Sequence, residues 1–167
     1  RLGTLRANVG WKLSEGQINI KGVTNDTIQG ASGLIPSNTF IDGYVSTKHH
    51  YIDLGMKLNN TRAEFLGTLC SSFLENVDLR GNGDLRLWGD LSKLNLTGDI
   101  VTDGMMTIKP TGVRYQVNRG KVHFIENEIQ LPGDTIIDEY GNRGLVTGAI
   151  HHRHISHITT DIAAHAD

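Results

Sequence analysis

The residues with the most chemical potential in this sequence are imidazoles. His151-His152-Arg153-His154 is followed by His157 and His165, and another pair stands at His49-His50. Neutral imidazole nitrogens are common ligands for zinc, copper and nickel. The spacing limits what they can do. Successive side chains of a strand point to opposite faces, so His152 and His154 share a face with Ile150 while His151 points the other way, and two ligands at most converge locally. A tetrahedral site needs partners such as His123 or Asp138 to arrive by folding, and no cysteine lies near. The plain reading is a polar strand exit, so no metal and no other cofactor is assigned. Carboxylates offer a second chemistry. Asp134 with Asp138, and Glu126 with Glu128, are the types used for acid and base work, but nothing beside them supplies a cleft or a further group, and they read as solvated turn and strand faces. The chain has no Gly-x-Ser-x-Gly elbow, no phosphate-cradling glycine loop and no metal-binding cysteine pair. Cys70 is the one cysteine, which excludes an intramolecular disulfide, and its apolar surroundings predict a buried, inert thiol. The sequence therefore reads as non-enzymatic.

The elements that hold these residues are strands. Apolar and polar residues alternate through Ile18 and Ile20, Ile41 and Val45, Ile52 to Leu58, and Leu79, Leu85 and Leu87. The pattern goes on through Leu94, Leu96 and Ile100, Val113, Tyr115 and Val117, Val122 and Phe124, Val146 and Ile150, and finally Ile158, Ile162 and Ala164. A period of two places one side chain in two on a buried face. Gly81-Asn-Gly, Thr102-Asp-Gly, Asn118-Arg-Gly, Pro132-Gly-Asp and Tyr140-Gly-Asn read as tight turns between antiparallel neighbours. One segment has the helical period instead. Leu66, Leu69, Cys70, Phe73 and Leu74 form a single stripe, and Thr61-Arg-Ala-Glu64 has capping-box spacing, so the sequence predicts a helix over about 61–75 that packs on the sheet. Gly43, Gly89, Gly98 and Gly148 each stand between two hydrophobes on an apolar face. Strand glycines of this kind mark a bend in an ordinary core or a curved sheet with a shallow apolar floor.

Composition narrows the functions. The 167 residues carry 16 Lys and Arg against 18 Asp and Glu, a net charge of −2, which gives no electrostatic reason to expect nucleic acid as a partner. Aromatic residues are 6% of the chain and no basic stripe accompanies them, so Trp11 and Trp88 read as core or groove wall rather than stacking platforms. Gly at 20 and Pro at 3 fit many short strands. No signal peptide opens the sequence and no apolar run approaches the roughly 20 residues that span a bilayer. The chain begins and ends in mid-pattern and reads as a single β-rich domain, 1–167, cut from a longer protein.

Two runs carry a specific resemblance. Gly83-Asp-Leu-Arg-Leu-Trp-Gly89 with Leu94-Asn-Leu-Thr-Gly98-Asp-Ile100 resembles the strand-glycine-strand unit of the TamB C-terminal region. The run from Asp138 to His151 is similar to a segment of TamB-like proteins of the Bacteroides-type branch, as are Glu64-Phe-Leu, Ser72-Phe-Leu and Val77 to Gly83. The resemblance extends over about residues 41–161. It implies an all-β fold, a curved, antiparallel-rich β-taco or elongated half-open sheet with an apolar groove. It also implies a periplasmic segment of a parent chain anchored in the inner membrane. Such a chain carries phospholipid acyl chains between the membranes, supports outer-membrane biogenesis and works with a BamA-type (TamA-like) barrel. The family supplies no catalytic residue, and His151 is transferred only as a recurrent position. Alternation then assigns the groove lining to Leu85, Leu87, Leu94, Leu96, Ile100, Val113, Tyr115, Val117, Val122 and Phe124. Two other readings stay open: an assembly factor that templates outer-membrane β-barrel strands at a sheet edge, and a carbohydrate-binding β-domain.

Overall fold

The computed structural model describes residues 4–30 and 33–166. The described residues form one antiparallel sheet of ten strands in strict chain order, β1 (Thr4–Lys12), β2 (Gln17–Gly30), β3 (Gly33–Ser46), β4 (Tyr51–Arg62), β5 (Leu74–Asp90), β6 (Lys93–Ile108), β7 (Val113–Ile125), β8 (Glu128–Asp138), β9 (Arg143–Arg153) and β10 (Ser156–Ala166). Each strand pairs with the next, and β1 is not paired with β10, so the sheet stays open. The expected all-β, half-open sheet is what the chain builds. One short helix, α1 (Glu64–Leu69), interrupts the meander between β4 and β5. No helix among the described residues is long and apolar enough to cross a membrane.

The two faces divide as the alternation predicts. Leu58, Leu85, Leu96, Ile100, Val122, Phe124, Ile129, Val146 and Ile150 are buried together on one face. Lys57, Asp84, Asp99 and His123, which neighbour one another across β4 to β7, form a row on the other. The side chain of Ala164, expected on the apolar face, lies outside the described residues. The apolar face is concave. Leu79 of β5 and Ile162 of β10 line the same cavity, although five strand spacings in a flat sheet would separate them by about 24 Å.

Glycine makes that curvature possible. Gly83 of β5 faces Ile100 of β6, and Gly98 of β6 faces Leu85 of β5. Their φ angles are +145° and +133°, and a Cβ at either would overlap the carbonyl of Asp99 or Asp84 on the partner strand. With no Cβ, each glycine lets its backbone lie against that of the partner strand, opposite Ile100 or Leu85. Gly43, Gly104 and Gly148 repeat the device against Asp53-Leu54, Asp78-Leu79 and Asp161-Ile162.

Two sequence expectations are corrected here. Gly81-Asn-Gly, Thr102-Asp-Gly, Asn118-Arg-Gly and Pro132-Gly-Asp lie inside β5, β6, β7 and β8, and the last three fall where the β6–β7 and β8–β9 registers shift. These glycines and positive-φ positions, Arg119 among them, open bulges that bend long strands instead of reversing them. Tyr140-Gly-Asn is a true turn, with Asp138 accepting the N–H groups of Tyr140 and Asn142 at 2.9 and 2.8 Å. The helix is also shorter than 61–75. Thr61 and Arg62 remain in the β4–β5 ladder and Leu74 pairs with Ile108, so the sheet claims both ends. The capping box does not form. The Thr61 hydroxyl donates to Asn38 O at 3.0 Å instead, and Ala63 caps α1 without a side-chain bond.

Candidate functional site

The concave face is the candidate site, and its lining changes along the sheet. Toward β10 it is covered. Leu66 and Cys70 of the α1 segment are buried, and Phe73 and Leu74 continue the same stripe through the turns that follow the helix. The Phe65 and Phe124 rings lie 6.3 Å apart. Beneath this cover remains a cavity of about 60 Å3 lined by Leu79, Met106, Val117, Val122, Ile136 and Ile150, among others. Its polar borders are few. The Thr102 hydroxyl donates to Gly120 O at 3.2 Å, and Asp134 accepts the Lys121 N–H at 2.9 Å while burial pushes its carboxyl above the usual range. Burial also pushes the Cys70 thiol up to about 11, so at neutral pH it is protonated and a weak nucleophile.

Toward β1 the same face is open. Trp11, Ile18, Val45 and Ile52 are neighbours across β1 to β4, and exposure rises from half-buried Ile52 to Trp11 at 64%. Leu5 and Val9 of β1 are exposed on this face as well. The ten residues assigned to the lining all fall on the concave face. Leu85, Leu96, Ile100, Val117, Val122 and Phe124 are buried, and Leu87, Leu94, Val113 and Tyr115 are half-buried. Val117 and Val122 reach the covered cavity, whereas the most accessible large apolar residues of this face, Leu5, Val9 and Trp11, lie in β1, to which no lining was assigned.

The histidines are dispersed by the fold. His151 points to the convex face, with Nδ1 3.3 Å from Glu128 and Nε2 3.7 Å from Asp161. His152 points to the buried face, where its Nδ1 accepts the Ile155 N–H at 3.2 Å; burial, and then the neighbouring His154, lowers its pKa. His154 lies beyond the end of β9 with φ +49°, so it does not share the face of Ile150 as the alternation predicted. His123 pairs with Asp99, and Asp138 is spent on the β8–β9 turn, so neither is delivered to the histidine run. Among the described residues no group of three or more His, Cys, Asp or Glu is placed to hold a metal ion.

The convex face has its own cluster. Arg86 forms a two-pronged ion pair with Asp53, both contacts at 2.8 Å, and its guanidinium lies 5.5 Å from the Trp88 ring centroid. That hydrogen-bonded pairing holds the Asp53 carboxyl below its usual range. With Arg86 stacked on it, Trp88 has one face taken, unlike an open sugar platform. Compared with protein-family models, with curated proteins and with solved structures, the chain matches none.

Proposed function

We propose that this chain is a TamB-like segment of a periplasmic lipid bridge, whose concave apolar face holds phospholipid acyl chains as they pass between the inner and outer membranes. The parent chain would be anchored in the inner membrane and engage a BamA-type, TamA-like barrel at the other side. The observation that carries the reading is an open sheet with one continuous apolar face, exposed at Leu5, Val9 and Trp11 and buried by Phe124 and Ile150. A monomeric protein seldom leaves such a face uncovered without a partner for it. An acyl chain suits it. Each buried CH2 contributes about 0.8 kcal/mol, so binding is graded along the chain and no single contact fixes its position. No covalent step is part of the proposal. The test is native mass spectrometry, with organic extraction, of protein purified without detergent, comparing wild type with Leu87→Arg and with the convex control Lys57→Glu. Phospholipid should accompany wild type and the control and be lost from folded Leu87→Arg. Lipid-free wild type would refute the reading.

The unpaired edge of β1 favours a second reading, an assembly factor that templates outer-membrane β-barrel strands. All nine residues of β1 are exposed and the strand is paired on one side alone, the geometry on which strand addition works. Under this reading prolines in β1 abolish strand capture and Leu87→Arg leaves it intact.

A further inference from the structure

An apolar band crosses the concave face from β1 to β10, beside the hydroxyls of Thr24, Thr39 and Thr61, yet it is covered over β5 to β10 and open over β1 to β3. What covers it is the chain itself. α1 has six residues, so it is about 9 Å long, and it has no side-chain N-cap and a glycine, Gly67, in its middle. Its backbone is tied at the ends: the Ala63 N–H donates to Leu79 O at 2.8 Å, and Phe73 O accepts the Lys109 N–H at 2.9 Å. From Phe65 to Cys70 the contacts with the sheet floor are apolar, through Phe65, Leu66 and Cys70. Among the described residues the segment's side-chain polar contacts stand near its two ends, where the Lys109 ammonium donates to Ser71 O and Glu64 pairs with Arg62 at 3.9 Å.

Such contacts have no directionality, and a hydrocarbon chain can replace them one for one. They do not fill the floor either. The remaining cavity of about 60 Å3 lies well below the roughly 300–1,000 Å3 typical of sites that enclose a small-molecule ligand, so an acyl chain does not fit while α1 is seated. A chain arriving along β1 to β4 meets the helix as a barrier.

We infer that the segment Ala63–Phe73 is a displaceable plug. It occupies the stretch of groove that an acyl chain fills when the segment swings out about its two backbone ties, and so gates passage over β5 to β9. The inference rests on the lipid reading, and its test separates the two. A Cβ placed on Gly67 lies 3.3 Å from the Val77 Cβ, close to the roughly 3.5–4.5 Å of a disulfide. The triple variant Cys70→Ala, Gly67→Cys, Val77→Cys therefore carries a reversible lock, with its own reduced form as the folding control. Binding of radiolabelled palmitate is measured on the oxidised and reduced forms, with disulfide formation followed by thiol titration. Leu66→Ser, which loosens the plug without any cross-link, is measured beside them.

The expected result is that the oxidised form loses part of the palmitate its own reduced form holds, keeping what the bare stretch over β1 to β4 binds, and that Leu66→Ser binds more palmitate than wild type. Equal binding by the oxidised and reduced forms, or unchanged binding by Leu66→Ser, overturns the plug and leaves the lipid reading standing. No palmitate on any form, Leu66→Ser included, overturns both.

Discussion

Gly98 shows how one residue sets the shape of this molecule. At φ +133°, with the Asp84 carbonyl where a Cβ would go, Gly98→Ala should combine backbone strain with a steric clash and destabilise by about 2–4 kcal/mol in urea unfolding. Gly55 is the contrast. Its φ is ordinary and a Cβ there meets the Asp42 carbonyl at 3.5 Å, so Gly55→Ala should be neutral or stabilise by up to about 1 kcal/mol. His152 makes a second prediction at this scale. Its folded pKa is lowered by burial, and its Nδ1 accepts a hydrogen bond that protonation would remove. The unfolded chain therefore binds the proton more readily. The contribution of His152 is fully present above its unfolded pKa of about 6.5 and is lost as pH falls from there toward the folded value. Melting temperature should drop on acidification through that window, and His152→Asn, which can keep an acceptor, should flatten the dependence.

Among the elements, alternation disclosed the strands and their faces, and the ten residues proposed as lining share one face of the sheet. Where the strands end was less legible. Asn118-Arg-Gly looks the same to a local reading whether it reverses the chain or bulges it, and only the neighbouring strands, by continuing the ladder to Val122 and Phe124, decide. The helix failed at its boundaries for a related reason. Thr61 has the right spacing from Glu64 for a cap, but a place in the ladder and a bond to Asn38 compete with it. The stripe itself survives, since Leu66, Cys70, Phe73 and Leu74 face one cavity. Leu66→Ala should therefore cost about 2–5 kcal/mol if the cover belongs to the folding core, measured as a shift in the urea midpoint with the slope unchanged.

For the whole molecule, the sequence disclosed an open apolar sheet but not its unequal cover. Period-two patterning reports which residues share a face, and it cannot report whether another element lies over that face. Hence the assigned lining centred on β5 to β7, where the side chains are buried or half-buried, and left out the exposed run at Leu5, Val9 and Trp11. The two tryptophans fall on opposite faces: Trp11 neighbours Ile18 on the concave side, and Trp88 neighbours Asp53 on the convex side. They make the decisive measurement possible. Trp11→Phe and Trp88→Phe each leave one reporter, and both proteins are titrated with phosphatidylcholine brominated along its acyl chains, a short-range quencher of tryptophan fluorescence. The lipid-bridge account predicts strong, saturable quenching of Trp11 and little of Trp88. Equal quenching of the two, or none of Trp11, would contradict it.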